Sequence, residues 1–241
     1  MRFEEINNTL AKLLDKDDLL EAKKVFQDNH EIISVFSSRE KYIILEKIMI
    51  LEYKNGNIDC CKSMLIEMES LSEGLGGQYN YNTYLWKINL LINAGKYNSA
   101  LWEANKLKKS LLDSETENTR ILFDLENSII RIYAALKKRK RILKLYRQLM
   151  ALDMDRDSIN KLQMNVGVFF YSVGNHELSK ELFLCIIKRS TTGFYYGCAN
   201  LYLARMSAGA ERTILYLEAK SAFELLENRS LIALVDKELL Y

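Results

Sequence analysis

The stretch Asn-Ala-Gly-Lys-Tyr-Asn-Ser-Ala, residues 93–100, lies between two segments whose apolar residues recur every three or four positions. This spacing predicts an amphipathic helix on each side of the stretch. Gly95 can adopt the left-handed backbone that ends the first helix. Asn98 or Ser99 can help to start the second helix by accepting a backbone hydrogen bond. The stretch is therefore predicted to form the tight turn of a helical hairpin.

Imperfect copies of this hairpin follow one another along the 241 residues of the chain. The equivalent turn positions, 35 to 42 residues apart, are Gly56, Gly95, Lys137, Gly174 and Gly209. A repeat of this length is typical of helical-hairpin solenoids. We therefore predict an all-α fold, a solenoid of about six antiparallel helix pairs.

A single repeat domain is predicted to span residues 1–241. It begins with an N-terminal helix pair at 1–36 and continues with the repeats at 38–226. A short amphipathic segment at 229–241 is predicted to be a C-terminal capping helix, because the last repeat of a solenoid needs its open apolar end covered.

The composition is that of a protein that buries a core, with 49% hydrophobic and 27% charged residues. The chain has no proline, which agrees with an all-helical fold. A formal charge of +2 gives no strong general attraction to nucleic acid or to a membrane. No segment approaches the roughly 18 uninterrupted apolar residues of a membrane span. Acidic residues near the N-terminus argue against a signal peptide, and we expect a cytoplasmic protein with reduced cysteines.

No motif for catalysis, metal binding or cofactor binding is recognisable in the sequence. The two histidines, His30 and His176, have no Cys or His neighbour at metal-ligand spacing. The glycine-rich segment at 74–77 follows a predicted helix rather than a strand, so it makes a poor phosphate loop. We predict a non-enzymatic protein with no cofactor and no metal ion.

Around its turns the sequence resembles the tetratricopeptide repeat family. Residues 95–100 match the order of that family's turn, a glycine, a polar residue, an aromatic residue and a small alanine. Residues 174–179 match it with Ser179 in the place of the alanine, and Gly167, Phe170 and Phe183 fall on further family positions. The resemblance covers roughly residues 40 to 225, in units longer than the usual length of about 34 residues. HEAT-like or other α-solenoid repeats are the alternative for the weaker units.

The resemblance implies a right-handed superhelical solenoid. It also implies that the first helix of each pair lines a concave surface that binds protein or peptide segments. In this register asparagine recurs on four consecutive units. Its side-chain amide can both donate to and accept from an extended peptide backbone. The candidate peptide-binding or partner-binding residues are Asn82, Trp86, Asn89, Asn127, Arg131, Lys161, Asn165, Tyr171, Tyr196 and Asn200. The alternative is that the asparagines are solvated or bond from helix to helix.

The densest run of charge lies at residues 137–141. Its members are Lys137, Lys138, Arg139, Lys140 and Arg141. Because the run spans a predicted turn, these cations can simply be solvated, and contact with an acidic partner is the second interpretation. Nucleic acid is an unlikely partner, since a short patch on a nearly neutral chain binds DNA weakly and with strong salt dependence.

The leading functional hypothesis is a regulator or adaptor that binds a protein or a short peptide on the concave face. A weaker resemblance to the sensory domain of bacterial peptide-pheromone receptors points the same way, although no helix-turn-helix module is recognisable. One alternative is the effector-sensing part of a transcription regulator that touches nucleic acid or an acidic partner at 137–141. Another is a structural scaffold that self-assembles, for example as a homodimer.

Overall fold

The computed structural model describes residues 2–113 and 119–240 of the chain. These residues form fourteen helices and no strand. The helices are α1 (Phe3–Asp15), α2 (Leu19–Asp28), α3 (His30–Ser34), α4 (Ser38–Lys54), α5 (Ile58–Glu73), α6 (Gly77–Asn93), α7 (Tyr97–Asp113), α8 (Thr119–Ala135), α9 (Arg139–Met150), α10 (Arg156–Ser172), α11 (His176–Arg189), α12 (Phe194–Met206), α13 (Gly209–Leu225) and α14 (Arg229–Leu239). The all-α class is therefore confirmed.

Within each unit, consecutive helices pack against each other as hairpins, and successive hairpins pack in chain order. The pairs α4/α5, α6/α7, α10/α11 and α12/α13 each make close contact, and α5 and α11 contact the first helix of the next pair. This arrangement is solenoid-like, as predicted. The right-handed superhelix and the tetratricopeptide register remain predictions.

The chain divides into two compact units, unit 1 at Met1–Ile121 and unit 2 at Leu122–Tyr241. Unit 1 has apolar cores around Leu10 and Ile48 and around Tyr42 and Met68. Unit 2 has cores that join α8 to α11, α10 to α13, and α12 to α14. Whether the two units behave as the single predicted domain stays a prediction.

The structure defines the helices at both ends of the predicted repeat domain. The segment predicted as an N-terminal pair forms α1 and α2, followed by the short helix α3. The predicted capping helix forms α14, which packs on α13 with Val235 fully buried. Tyr241 lies outside the described residues, as do residues 114–118 of the predicted repeat region.

Six turns in the described ranges end a helix with the same hydrogen-bonded geometry. In each, a residue with positive φ donates to the carbonyl three residues back, and the next residue donates to the carbonyl five residues back. This is the Schellman arrangement of a helix C-terminus. The positive-φ residues are Asp17, Gly56, Gly95, Lys137, Gly174 and Glu227.

Lys137 has a φ of 54° and occupies the position that glycine occupies in three other turns. The fourth hairpin therefore keeps the predicted turn register without a glycine. Gly209 differs from the prediction, because it is the first residue of α13 and Ser207 at the end of α12 is extended. The connection before α13 therefore lacks the Schellman geometry of the other hairpin turns.

Candidate functional site

Two side-chain contacts join the first helices of adjacent pairs in unit 2, α8 and α10. The Nζ atom of Lys161 lies 2.8 Å from Oδ1 of Asp124. The Nδ2 atom of Asn165 donates to Oδ1 of Asn127 at 2.9 Å. The partners are 37 and 38 residues apart in sequence, which is one repeat unit. Equivalent faces of two consecutive hairpins therefore lie side by side, and they bring together three residues of the predicted site.

Asn127 is the most unusual side chain of this face. It is only 1% exposed, and its Nδ2 group has no hydrogen-bond partner among the described residues. A buried amide group without a partner costs about 1–3 kcal/mol. Asn165 is half-buried, and the one hydrogen bond that its side chain forms among the described residues is the one that it donates to Asn127. The pair therefore retains an unused donor on Asn127 and an unused acceptor, Oδ1, on Asn165.

Charged side chains flank the asparagine pair along both helices. Lys161 precedes Asn165 by one helical turn, and Arg131 follows Asn127 by one turn. Lys161 and Arg131 are both half-buried. We define the inner polar face as the set Asp124, Asn127, Arg131, Lys161 and Asn165. Lys161 and Asp124 precede the two asparagines along their helices, and Arg131 follows the one on α8.

An aromatic cluster lies further along α10 and α12. The ring of Tyr171 contacts Tyr202 and His176, with centroid distances of 5.3 and 5.5 Å. The guanidinium of Arg205 lies 4.9 Å from the centroid of the Tyr202 ring. Burial raises the pKa of the Tyr202 hydroxyl above its ordinary value. Sequence reasoning selected Tyr171 and missed Tyr202 and Arg205, although their three-residue spacing places them on one side of a helix.

The last two predicted residues, Tyr196 and Asn200, have different partners. The Tyr196 hydroxyl donates to Oε2 of Glu218 on α13 at 2.9 Å. Asn200 is 2% exposed, and its Nδ2 group donates to the carbonyl of Tyr196 within α12 at 3.1 Å. The structure thus joins Asn127 to Asn165 by a side-chain hydrogen bond and forms none between Asn165 and Asn200.

Unit 1 contains the remaining predicted residues, Asn82, Trp86 and Asn89, all half-buried on α6. The Trp86 indole donates to Oε1 of Glu46 on α4 at 3.3 Å. Its ring packs edge-on against Tyr53, at a centroid distance of 5.5 Å. Burial raises the pKa of the Glu46 carboxyl. In this unit too, the first helices of neighbouring pairs make side-chain contacts across one repeat.

Two cavities in unit 1 were not indicated by the sequence. One has a volume of about 310 Å³ and lies between α5 and α6, where Glu69, Thr83 and Lys87 line it. The other has a volume of about 350 Å³ and lies between α6 and α7. Asn80 and Tyr84 line both cavities. The lining residues recur at three- and four-residue steps, as core positions of amphipathic helices also do, so the sequence pattern did not set them apart.

The predicted basic run 137–141 lies at the turn into α9, and all five side chains are exposed. The described residues also lack two other kinds of site, a membrane-spanning helix and a metal-binding cluster. No helix there combines the length and the apolar character of a membrane span. No group of three or more His, Cys, Asp or Glu side chains there is placed to hold a metal ion.

No protein-family model matches this sequence, and a search of curated proteins found no relative. Among solved structures, the chain is similar to BtubC (BKLC) from P. vanneervenii, with 12% sequence identity and a TM-score of 0.47. The match covers 99% of this chain and 90% of that one. We infer neither a family nor a function from a similarity at this level.

Proposed function

We propose that this chain is a non-enzymatic binding protein that holds an extended peptide segment against the inner polar face of α8 and α10. The observation that supports this most is the asparagine pair, which keeps an unused donor on Asn127 and an unused acceptor on Asn165. One peptide group offers the complementary acceptor and donor, a C=O and an N–H. Asparagine side chains would therefore bind the backbone of the ligand.

Burial of the Asn127 amide determines how the ligand would reach it. Because the Nδ2 group is covered, a peptide carbonyl contacts it only after neighbouring side chains on α8 or α10 have moved. Satisfying a buried donor gains back its desolvation cost, which favours the rearranged, bound state. This mode predicts recognition of backbone geometry with little dependence on peptide sequence.

The flanking residues would set the orientation and add affinity. Lys161 and Arg131 would contact carbonyl oxygens or the C-terminal carboxylate of the peptide. Tyr171, six residues after Asn165 on α10, offers a half-buried ring for an apolar side chain. We propose that the solenoid is tetratricopeptide-like and that the protein acts in the cytoplasm as a regulator or adaptor, through changes in its partner contacts.

Calorimetric titration with uncharged peptides of about ten residues and unrelated sequence tests this proposal. We expect similar affinities for the different sequences. We expect binding at least about tenfold weaker when alternate peptide bonds are N-methylated, since methylation removes the backbone donors. The double variant Asn127→Leu/Asn165→Leu should lose binding to the same extent, while its helical circular dichroism is retained.

The control variant is Asn105→Ala, an exposed asparagine of α7 outside the inner polar face. It should bind the peptides as the natural chain does. Undiminished affinity of the double leucine variant, or equal affinity for N-methylated peptides, would rule out recognition through the asparagine pair.

A further inference from the structure

Helix α9 and the turn before it carry cations and no acidic residue. Between Lys137 and Leu152 the sequence contains no Asp and no Glu. We define the basic face as the set Lys137, Lys138, Arg139, Lys140, Arg141, Lys144 and Arg147. Lys144 and Arg147 lie beyond the run 137–141 and continue the same surface along α9.

All seven side chains of the basic face are exposed, and none forms an ion pair within the described residues. Other cations of unit 2 do have carboxylate partners. Lys161 pairs with Asp124, Arg205 with Glu238, and Lys220 with Asp236. Among the described residues, the positive charge of the basic face thus has no carboxylate partner.

Two of the arginines are held in place by aromatic rings. The guanidinium of Arg139 lies 5.5 Å from the centroid of the Phe170 ring. That of Arg141 lies 5.4 Å from the centroid of the Tyr133 ring. Cation–π contacts at exposed sites contribute about 0.5–1 kcal/mol and restrict the motion of the guanidinium. The basic face is therefore partly pre-organised to receive an anion.

The placement of these charges is electrostatically unfavourable without a partner. Arg139, Lys140 and Arg141 form the first turn of α9, where the helix dipole disfavours cations. Lys140, Lys144 and Arg147 are also neighbours on one side of the helix and repel one another. A bound anionic segment would relieve both effects.

We propose that the basic face of α9 docks an acidic, extended peptide segment of a partner protein. Along the helix axis Lys140 and Lys144 are about 6 Å apart, and Lys144 and Arg147 about 4.5 Å. Alternate side chains of an extended peptide are about 6.6 Å apart, which brings successive carboxylates within reach of these cations. The surface is separate from the inner polar face and would take a chemically different ligand.

Two features favour an acidic peptide over nucleic acid. Single-stranded nucleic acid binds by stacking its bases on aromatic rings, but Arg139 and Arg141 already cover the rings of Phe170 and Tyr133. Duplex DNA is bound mainly by concentrated positive charge. This chain has a net charge of only +2, so its long-range attraction for a dense polyanion is weak. Local complementarity to a short acidic segment does not need a large net charge.

Fluorescence anisotropy with a labelled peptide of alternating glutamate and serine, at about 150 mM salt, tests the proposal. The affected variant is Lys140→Gln/Lys144→Gln/Arg147→Gln. The control variant, Lys180→Gln/Lys188→Gln/Lys237→Gln, removes the same charge from exposed lysines elsewhere in unit 2. We expect the dissociation constant to rise at least about tenfold in the first variant and to change less than about twofold in the control.

Two further ligands complete the experiment. One is a peptide with glutamine in place of glutamate, and the other is a DNA duplex with the same charge as the glutamate peptide. Retained helical circular dichroism shows that each variant is folded. No binding of the glutamate peptide, or equal loss in both variants, would overturn the proposal. Tighter α9-dependent binding of the duplex would also overturn it, and would identify the basic face as a nucleic-acid contact.

Discussion

Gly167 and Gly197 each face a phenylalanine ring of the second helix in their pair. A Cβ atom at Gly167 would lie 2.6 Å from Cε1 of Phe183, and one at Gly197 would lie 2.5 Å from Cε1 of Phe223. Both rings are fully buried. The close approach of α10 to α11, and of α12 to α13, therefore depends on a residue without a side chain. The same close contact between a glycine and a phenylalanine ring occurs in two successive hairpins of unit 2.

The variant Gly167→Ala is expected to lower the free energy of unfolding by about 1–2 kcal/mol. Overpacking against Phe183 costs about 1–3 kcal/mol, and the higher helix propensity of alanine offsets up to about 1 kcal/mol. Urea unfolding followed by circular dichroism measures the change. The matched control is Gly77→Ala in α6, where a Cβ atom would lie 3.5 Å from Tyr81, an ordinary contact. Unchanged stability of the Gly167 variant would mean that the ring moves aside freely.

At the scale of helices, the Schellman turns impose a common geometry on the hairpins. Gly56, Gly95 and Gly174 adopt the left-handed conformation without steric cost, whereas Lys137 adopts it with a side chain. The hydrogen bonds are nevertheless the same, with Lys137 donating to Ala134 and Lys138 to Tyr133. Lysine has no intrinsic preference for the left-handed conformation. Packing of α8 and α9 around Phe123 and Ile142 therefore holds this turn.

The variant Lys137→Gly is expected to raise the free energy of unfolding by up to about 1 kcal/mol, because it relieves the strain of a left-handed residue. Lys144→Gly, in the interior of α9, removes the same charge and should lower stability by about 1 kcal/mol. Thermal and urea unfolding of both variants at equal salt separate the backbone effect from the loss of charge. A lower stability of the Lys137 variant would show that its side chain stabilises the turn.

At the scale of the whole chain, a group of polar contacts far apart in sequence fixes the C-terminal helix of unit 2. Glu238 on α14 accepts hydrogen bonds from Nε of Arg205 on α12 and from the hydroxyl of Tyr216 on α13, each at 3.0 Å. Asp236 pairs with Lys220 on α13 at 2.6 Å. The guanidinium of Arg205 holds the pKa of Glu238 below its ordinary value.

The variant Glu238→Gln is expected to lower the free energy of unfolding at neutral pH by about 1–2 kcal/mol. Because the folded pKa of Glu238 is depressed, its contribution is present above the unfolded pKa near 4.5 and is lost as the pH falls through the folded pKa. Unfolding measured from pH 7 downwards should therefore show the difference between the natural chain and the variant shrinking below about pH 4.5. The control Glu181→Gln, at an exposed site on α11, should change the free energy of unfolding at neutral pH by less than about 0.5 kcal/mol.

Parts of the candidate site were accessible from sequence and others were not. The recurrence of asparagine placed Asn127 and Asn165 on one face, because both lie at similar distances before their turn residues. Nothing in the sequence showed that Asn165 would bond to Asn127, or that one buried amide would be left without a partner. The pattern also did not distinguish Asn200, which bonds within its own helix. Side-chain torsions and neighbouring helices decide those contacts.

Local physical chemistry alone determined the helices and the hairpin turns at Gly56, Gly95 and Gly174, since apolar periodicity and left-handed glycines act over a few neighbouring positions. The basic run was likewise visible in the linear order of residues. Only the tertiary structure decided that Lys161 meets Asp124 and that Gly167 admits the Phe183 ring. It also decided that the cations of α9 have no carboxylate partner among residues 2–113 and 119–240. Each of these features depends on contacts between residues of different helices. Such contacts are set by tertiary packing, which local sequence does not encode.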